Sequence, residues 1–196
     1  MSGMMRPGGG RPRGNAARGL MLLAYGNPEG FTEFGSDPAA YLASLAPLVG
    51  FLLVYGGQVM LTDTPMKGAA AFLAYLISLL APPVLAEPFC RRWDRLGAWG
   101  LYANMLNWAQ ILLIGAALVA VLVAMLLVAA GLELNVAAAA AGLGVLIYAA
   151  WLQWFTARCT LDLTRWQTVK LLLATQLVTG VLIVVPSLVG MDFPKI

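Results

Sequence analysis

Read for the spacing of its apolar and polar positions, the chain falls into five long apolar runs separated by short polar stretches. Their approximate limits are Tyr41–Leu61, Lys67–Ala86, Met105–Ala130, Val136–Phe155 and Thr168–Val189. At 1.5 Å of rise per residue, about 20 residues of helix cover the ~30 Å hydrocarbon core of a bilayer, and each run is about that long. The pattern predicts an all-α polytopic membrane protein, a five-helix transmembrane bundle occupying residues 38–191. Thr62-Asp63-Thr64-Pro65 and Gly131–Asn135 read as tight turns, and Pro82-Pro83 as a kink or loosened end of the second span. Glu87–Tyr102 and Arg158–Gln167 read as basic loops.

The segment before the first span has a different pattern. Residues 1–14 are Gly, Pro and Arg with almost nothing to bury, and are expected to be disordered. Residues 15–37 read as an interfacial helical segment. Asn15 is the expected N-cap of a short helix over Ala16–Tyr25, ended by Gly26-Asn27-Pro28. Leu20, Leu23 and Ala24 lie opposite Arg18, which suits a helix in the interface plane. Pro28–Phe34 reads as a second surface helix, with Phe31 and Phe34 turned toward lipid. The apolar stretch Gly19–Tyr25 is too short for a signal-peptide core, so this segment is expected to be retained. Residues 192–196 form a short tail.

Composition agrees with the pattern. Of the 196 residues, 61% are hydrophobic and only 11% are charged. An average soluble domain carries about 25% charged residues. The net charge of +3 does not point to nucleic acid, because the cations sit at helix ends and no aromatic-basic groove motif is present. Their placement sets an orientation instead. Ten of the 12 Lys and Arg fall on one side of a five-span chain: Arg6, Arg11, Arg13, Arg18, Arg91, Arg92, Arg95, Arg158, Arg165 and Lys170. Only Lys67 and Lys195 fall on the other. The positive-inside bias predicts a membrane protein with its N-terminus in the cytoplasm and its C-terminus outside. Trp93, Trp99, Trp108, Trp151, Trp154 and Trp166 all gather near the basic side, where indole rings are expected to anchor the interface.

Candidate chemistry is sparse. His is absent, which removes the commonest general base and metal ligand. Cys90 and Cys159 are far apart, lack a CxxC partner and are expected to be free thiols on the cytoplasmic side. No nucleophile elbow, zincin, Walker or dinucleotide motif occurs. No catalytic, cofactor-binding or metal-ligating residue is therefore assigned. The strongest polar group within a span is Asn104, Asn107 and Gln110, spaced i, i+3 and so on one helix face. Such a face either lines a ligand or ion path or hydrogen-bonds to neighbouring helices, and the second account is favoured. Glu87 with Arg91, and Asp162 with Arg158 and Arg165, read as local ion pairs. Gln58, Gln153, Gln167 and Gln176 are single amides on apolar helices; Gln176 with Thr175 and Thr179 is placed to face other helices in mid-membrane. Ala120-xxx-Ala124 and Ala137-xxx-Ala141 have the small-xxx-small spacing of close helix approach.

The Pro28-Glu29-Gly30-Phe31 element, followed by five spans with a strongly apolar middle one, resembles small bacterial Yip1-type membrane proteins. The stretch Tyr102-Ala103-Asn104-Met105-Leu106-Asn107-Trp108-Ala109-Gln110 is similar to one in uncharacterised inner-membrane proteins of that type. The resemblance implies a five-helix α-bundle with no known catalytic residues and no substrate. The expected function is a non-enzymatic accessory or scaffold protein, partnered by the lipid bilayer and by other membrane proteins or a second copy. A small oligomeric transporter or channel subunit is the alternative, and a membrane enzyme comes third.

Overall fold

The computed structural model describes residues 15–35, 38–46, 49–50, 53, 56–57 and 65–188. Among these every regular element is helical. Helix α1 is Ala16–Ala24, a 3-10 helix covers Pro28–Glu33, and α2 is Pro38–Ser44. Four long helices follow: α3 (Pro65–Arg92), α4 (Leu96–Ala129), α5 (Leu134–Leu161) and α6 (Arg165–Leu188). Only three or four residues join successive long helices, so each runs antiparallel to the one before it. Helix α4 packs on α3 and α5, and α6 packs on the same two, closing an up-and-down bundle. Helices α1 and α2 lie against α4.

Two of these helices, α4 and α5, are long and apolar enough to cross a membrane. Of the five expected spans, Tyr41–Leu61 falls mostly outside the described residues. The second lies within α3, and the fifth within α6 except for its final residue. The basic loops are far shorter than expected. Helix α3 continues through Pro82, Pro83 and Pro88 to Arg92, and α4 begins at Leu96, so Glu87–Tyr102 is helix on both sides of a tight turn. Asp94 makes that turn at φ 55°. The Arg95 N–H donates to the Cys90 carbonyl at 2.8 Å, a six-to-one closure of the helix end. The Trp99 indole N–H donates to the Pro83 carbonyl at 2.8 Å, which ties the start of α4 to the proline-containing turn of α3. Arg158–Gln167 shrinks in the same way to the stretch between Leu161 and Arg165, with Asp162 at φ 49°.

Among the described residues burial is concentrated at one end of the bundle, Ala137 near the start of α5 being an exception. Ala86, Cys90, Tyr102, Leu106, Ala157, Leu161, Leu163 and Leu171 form one core cluster there. A second comprises Leu23, Phe31, Phe34 and Met105, with Leu20, Leu101, Trp108, Leu112 and Phe155 around it. Further down α4 and α5 the large apolar side chains are exposed, Leu122 at 60% and Leu126 at 70%. Helix α4 has 34 residues. It is therefore about 51 Å long, well over the ~30 Å hydrocarbon core. The apolar run Ile111–Ala130 is long enough to match that core, and the buried residues of α4, between Tyr102 and Ala109, come before it.

Candidate functional site

The amides Asn104 and Asn107 sit on the packed part of α4, and both are buried. Each reaches across to the N-terminal segment. Asn104 Nδ2 donates to the Gly35 carbonyl at 2.7 Å. Asn107 Nδ2 donates to Ser44 Oγ at 2.9 Å, and that hydroxyl donates in turn to the Tyr41 carbonyl at 2.6 Å. The chain Asn107–Ser44–Tyr41 satisfies a fully buried serine. In a low-dielectric region, leaving that hydroxyl unpaired would cost ~1–3 kcal/mol. Asn104 Oδ1 is buried without a partner among the described residues. Gln110, third of the predicted set, is half-buried and makes no hydrogen bond among the described residues. Two of the three amides thus serve one contact, and the third stands apart from it.

That contact fixes a segment expected to face lipid. Asn15 caps α1 as anticipated, accepting from the Arg18 N–H at 3.2 Å, while its own N–H donates to Glu33 Oε2 at 3.0 Å. Arg18 lies 3.7 Å from the same carboxylate. Phe31 and Phe34 turn inward, not toward lipid. Phe31 packs on Phe155 with ring centroids 5.4 Å apart, and Phe34 on Trp108 at 5.8 Å. The reason is the absence of side chains at Gly19 and Gly30. A Cβ on Gly30 would lie 2.8 Å from the Gly19 carbonyl. Only glycine therefore lets α1 and the 3-10 helix cross this closely. Once crossed, their shared apolar face has α4 and α5 as its nearest cover. Leu20 and Leu23 of α1 join the same cluster, so the apolar side of α1 is covered by protein.

The tryptophans divide between packing and exposure. Trp99 donates to Pro83, Trp108 covers Phe34, and Trp93 lies against Phe89 at 5.3 Å. Trp151 stacks on Phe155 at 5.5 Å and on Tyr148 at 5.6 Å, and Trp154 carries the Arg158 guanidinium 5.6 Å above its ring. Trp166 projects outward. Of the expected ion pairs, Glu87–Arg91 forms at 2.6 Å. Asp162 pairs instead with Arg95, 3.2 Å away, and not with Arg158 or Arg165. The left-handed turn at Asp162 ends α5 beside the α3–α4 turn, within reach of a cation more than sixty residues earlier.

Sequence spacing did not reveal that Gln176 of α6 donates to Gln153 of α5 at 2.9 Å, since it carries no record of which lone amides meet. Thr175 donates its hydroxyl to the Leu171 carbonyl, and Thr179 Oγ1 is buried without a partner among the described residues. Cys90 and Cys159 are free, Cys90 buried and Cys159 exposed. Burial, aided by nearby Glu87, pushes the Cys90 thiol up to about 11. That keeps it protonated and unreactive at neutral pH. Among the described residues no three His, Cys, Asp or Glu side chains gather to hold a metal.

An apolar groove of about 640 Å³ lies between α4 and α5, below the packed end. Ala116, Val119 and Ala120 wall it on one side, Ala141, Gly144 and Tyr148 on the other, and Ala24 of α1 stands at its head. Small residues on both helices leave the space, so the Ala120 and Ala141 positions singled out by spacing line a groove. Comparison of the chain with protein-family models, curated proteins and solved structures finds no match.

Proposed function

We propose that this chain is a five-span inner-membrane protein of non-enzymatic accessory or scaffold type, N-terminus in the cytoplasm, with the layout of bacterial Yip1-type proteins. The observation that carries the scaffold reading is the use made of the strongest polar group. Asn104 and Asn107 point their donors at Gly35 and Ser44 of their own chain, which is what packing amides do. A transport path needs polar groups aligned along the bilayer normal. The inner-membrane reading draws on the two apolar helices, the exposed apolar side chains along them and the ten-to-two split of cations. In the five-span reading α2 opens the first span and α3 and α6 carry the second and fifth. The alternative, a small oligomeric transporter or channel subunit, draws on the Gln153–Gln176 pair and on Thr179 between α5 and α6.

Topology is the direct test. A reporter active only outside the cytoplasm should be active when fused after Ile196 and silent when fused after Asp94. The reverse pattern would invert the orientation, and activity at both sites would break the five-span count. Co-purification from mild detergent, with bound proteins and lipids identified, separates a scaffold from a transporter subunit.

A further inference from the structure

We propose that the α4–α5 groove holds one anionic phospholipid, with an acyl chain along the groove and the phosphate on Arg158. The proposal rests on the membrane reading above and adds a ligand class to it. The groove follows α4 from Ile111 to Leu127. That is about 24 Å of helix, most of the hydrocarbon thickness. Its lining is almost wholly apolar, which suits a flexible hydrocarbon chain. A Cβ added at Gly115 or Gly144 would meet nothing within 4 Å, so the space beside both is open.

Charge selects the headgroup. Arg158 lies ten residues beyond Tyr148 on α5. In an α-helix that places it about 15 Å further along the axis and about 80° around it. From Tyr148, which lines the groove, the stacked rings of Trp151 and Phe155 continue along α5 toward Arg158. The Arg158 guanidinium is held over Trp154, and its Nη1 is buried with no hydrogen-bond partner among the described residues. The carboxylate nearest in sequence, Asp162, is taken by Arg95. No other carboxylate among the described residues pairs with Arg158, so this cation is left for an anion from outside the chain. A guanidinium fork matches a phosphodiester, and basic sites between spanning helices at the cytoplasmic face suit anionic headgroups.

The test uses the full chain in nanodiscs of mixed phosphatidylglycerol and phosphatidylcholine, extracted into mild detergent and weighed by native mass spectrometry. The wild type should keep one phosphatidylglycerol in preference to phosphatidylcholine. Arg158→Gln should lower retained phosphatidylglycerol about fivefold and leave phosphatidylcholine unchanged. Gly144→Leu, filling the groove, should lower both. Gly142→Leu, with equally open surroundings but outside the groove lining, should match the wild type. Gly115→Leu fills the opposite wall and replaces Gly144→Leu should that variant fail to fold. Equal retention by wild type and all variants would reduce the lipid to annular solvent and overturn the proposal. A dimer mass that only the groove-filling variants abolish would assign the groove to a second copy and overturn it as well. Unselective retention with the expected reporter topology would sink only the lipid site, whereas a reversed topology would sink the membrane reading.

Discussion

The two halves of α4 differ both in composition and in how they are covered. From Tyr102 to Ala109 all but Trp108 are buried, and Asn104 and Asn107 hydrogen-bond to a distant part of the chain. From Leu118 to Leu126 the helix exposes one large apolar side chain after another. Hydrophobicity separates them, since Ile111–Ala129 is wholly apolar while Asn104, Asn107 and Gln110 all lie before it. So do their partners: the upper half is covered by α1, α2, the 3-10 helix and the ends of α3 and α5, and the large apolar side chains of the lower half are exposed. Water punishes exposed apolar surface and a bilayer does not. In the membrane reading, packing is therefore demanding where the helices leave the bilayer and permissive within it.

That contrast is easiest to break at its strongest point. Leu161 is fully buried and Leu126 stands on the exposed shaft. Leu161→Ala should cost ~2–4 kcal/mol, whereas Leu126→Ala should cost less than about 1 kcal/mol. Denaturant titration in one detergent checks both, and equal losses would mean that both halves are packed alike. Gly30→Ala drives a Cβ against the Gly19 carbonyl. It should cost ~1–3 kcal/mol by the same titration. Gly144 has open space around it. The same change there should be neutral or stabilise by up to ~1 kcal/mol through helix propensity. Asn107→Leu should cost ~1 kcal/mol. A double-mutant cycle with Ser44→Ala should recover most of that loss as coupling. An additive cycle would remove the bond from the account. The smallest disturbance is chemical labelling: at pH 8 a thiol reagent should modify exposed Cys159 and spare Cys90 until the packed end unfolds. Early modification of Cys90 would show that end to be open.

The helical class, the short turn after α4, the Asn15 cap and the Glu87–Arg91 pair were legible from spacing, because each depends on neighbours within four or five residues. The inward turn of Phe31 and Phe34 was not. It follows from Gly19 and Gly30, two glycines whose meeting no local pattern records. The Arg95–Asp162 pair was misread for the same reason, since local spacing offered Arg158 and Arg165 as nearer cations. The amide face lay between these cases. Its residues were identifiable from their i, i+3 spacing, but their acceptors, Gly35 and Ser44, belong to a segment joined to α4 only by the fold.

The bond from Asn104 to Gly35 bridges 69 positions. A ribosome adding about 5–20 residues per second needs several seconds to cover that interval. Phe31 and Phe34 leave the exit tunnel first and have no docking surface until the start of α4 follows them. During that delay two aromatic rings lack the side chains that cover them in the fold, Phe155 and Trp108. Helices α4 and α5, linked by four residues, can enter the bilayer together as a hairpin. A segment synthesised before α4 thus reaches its native place only after α4 has been made.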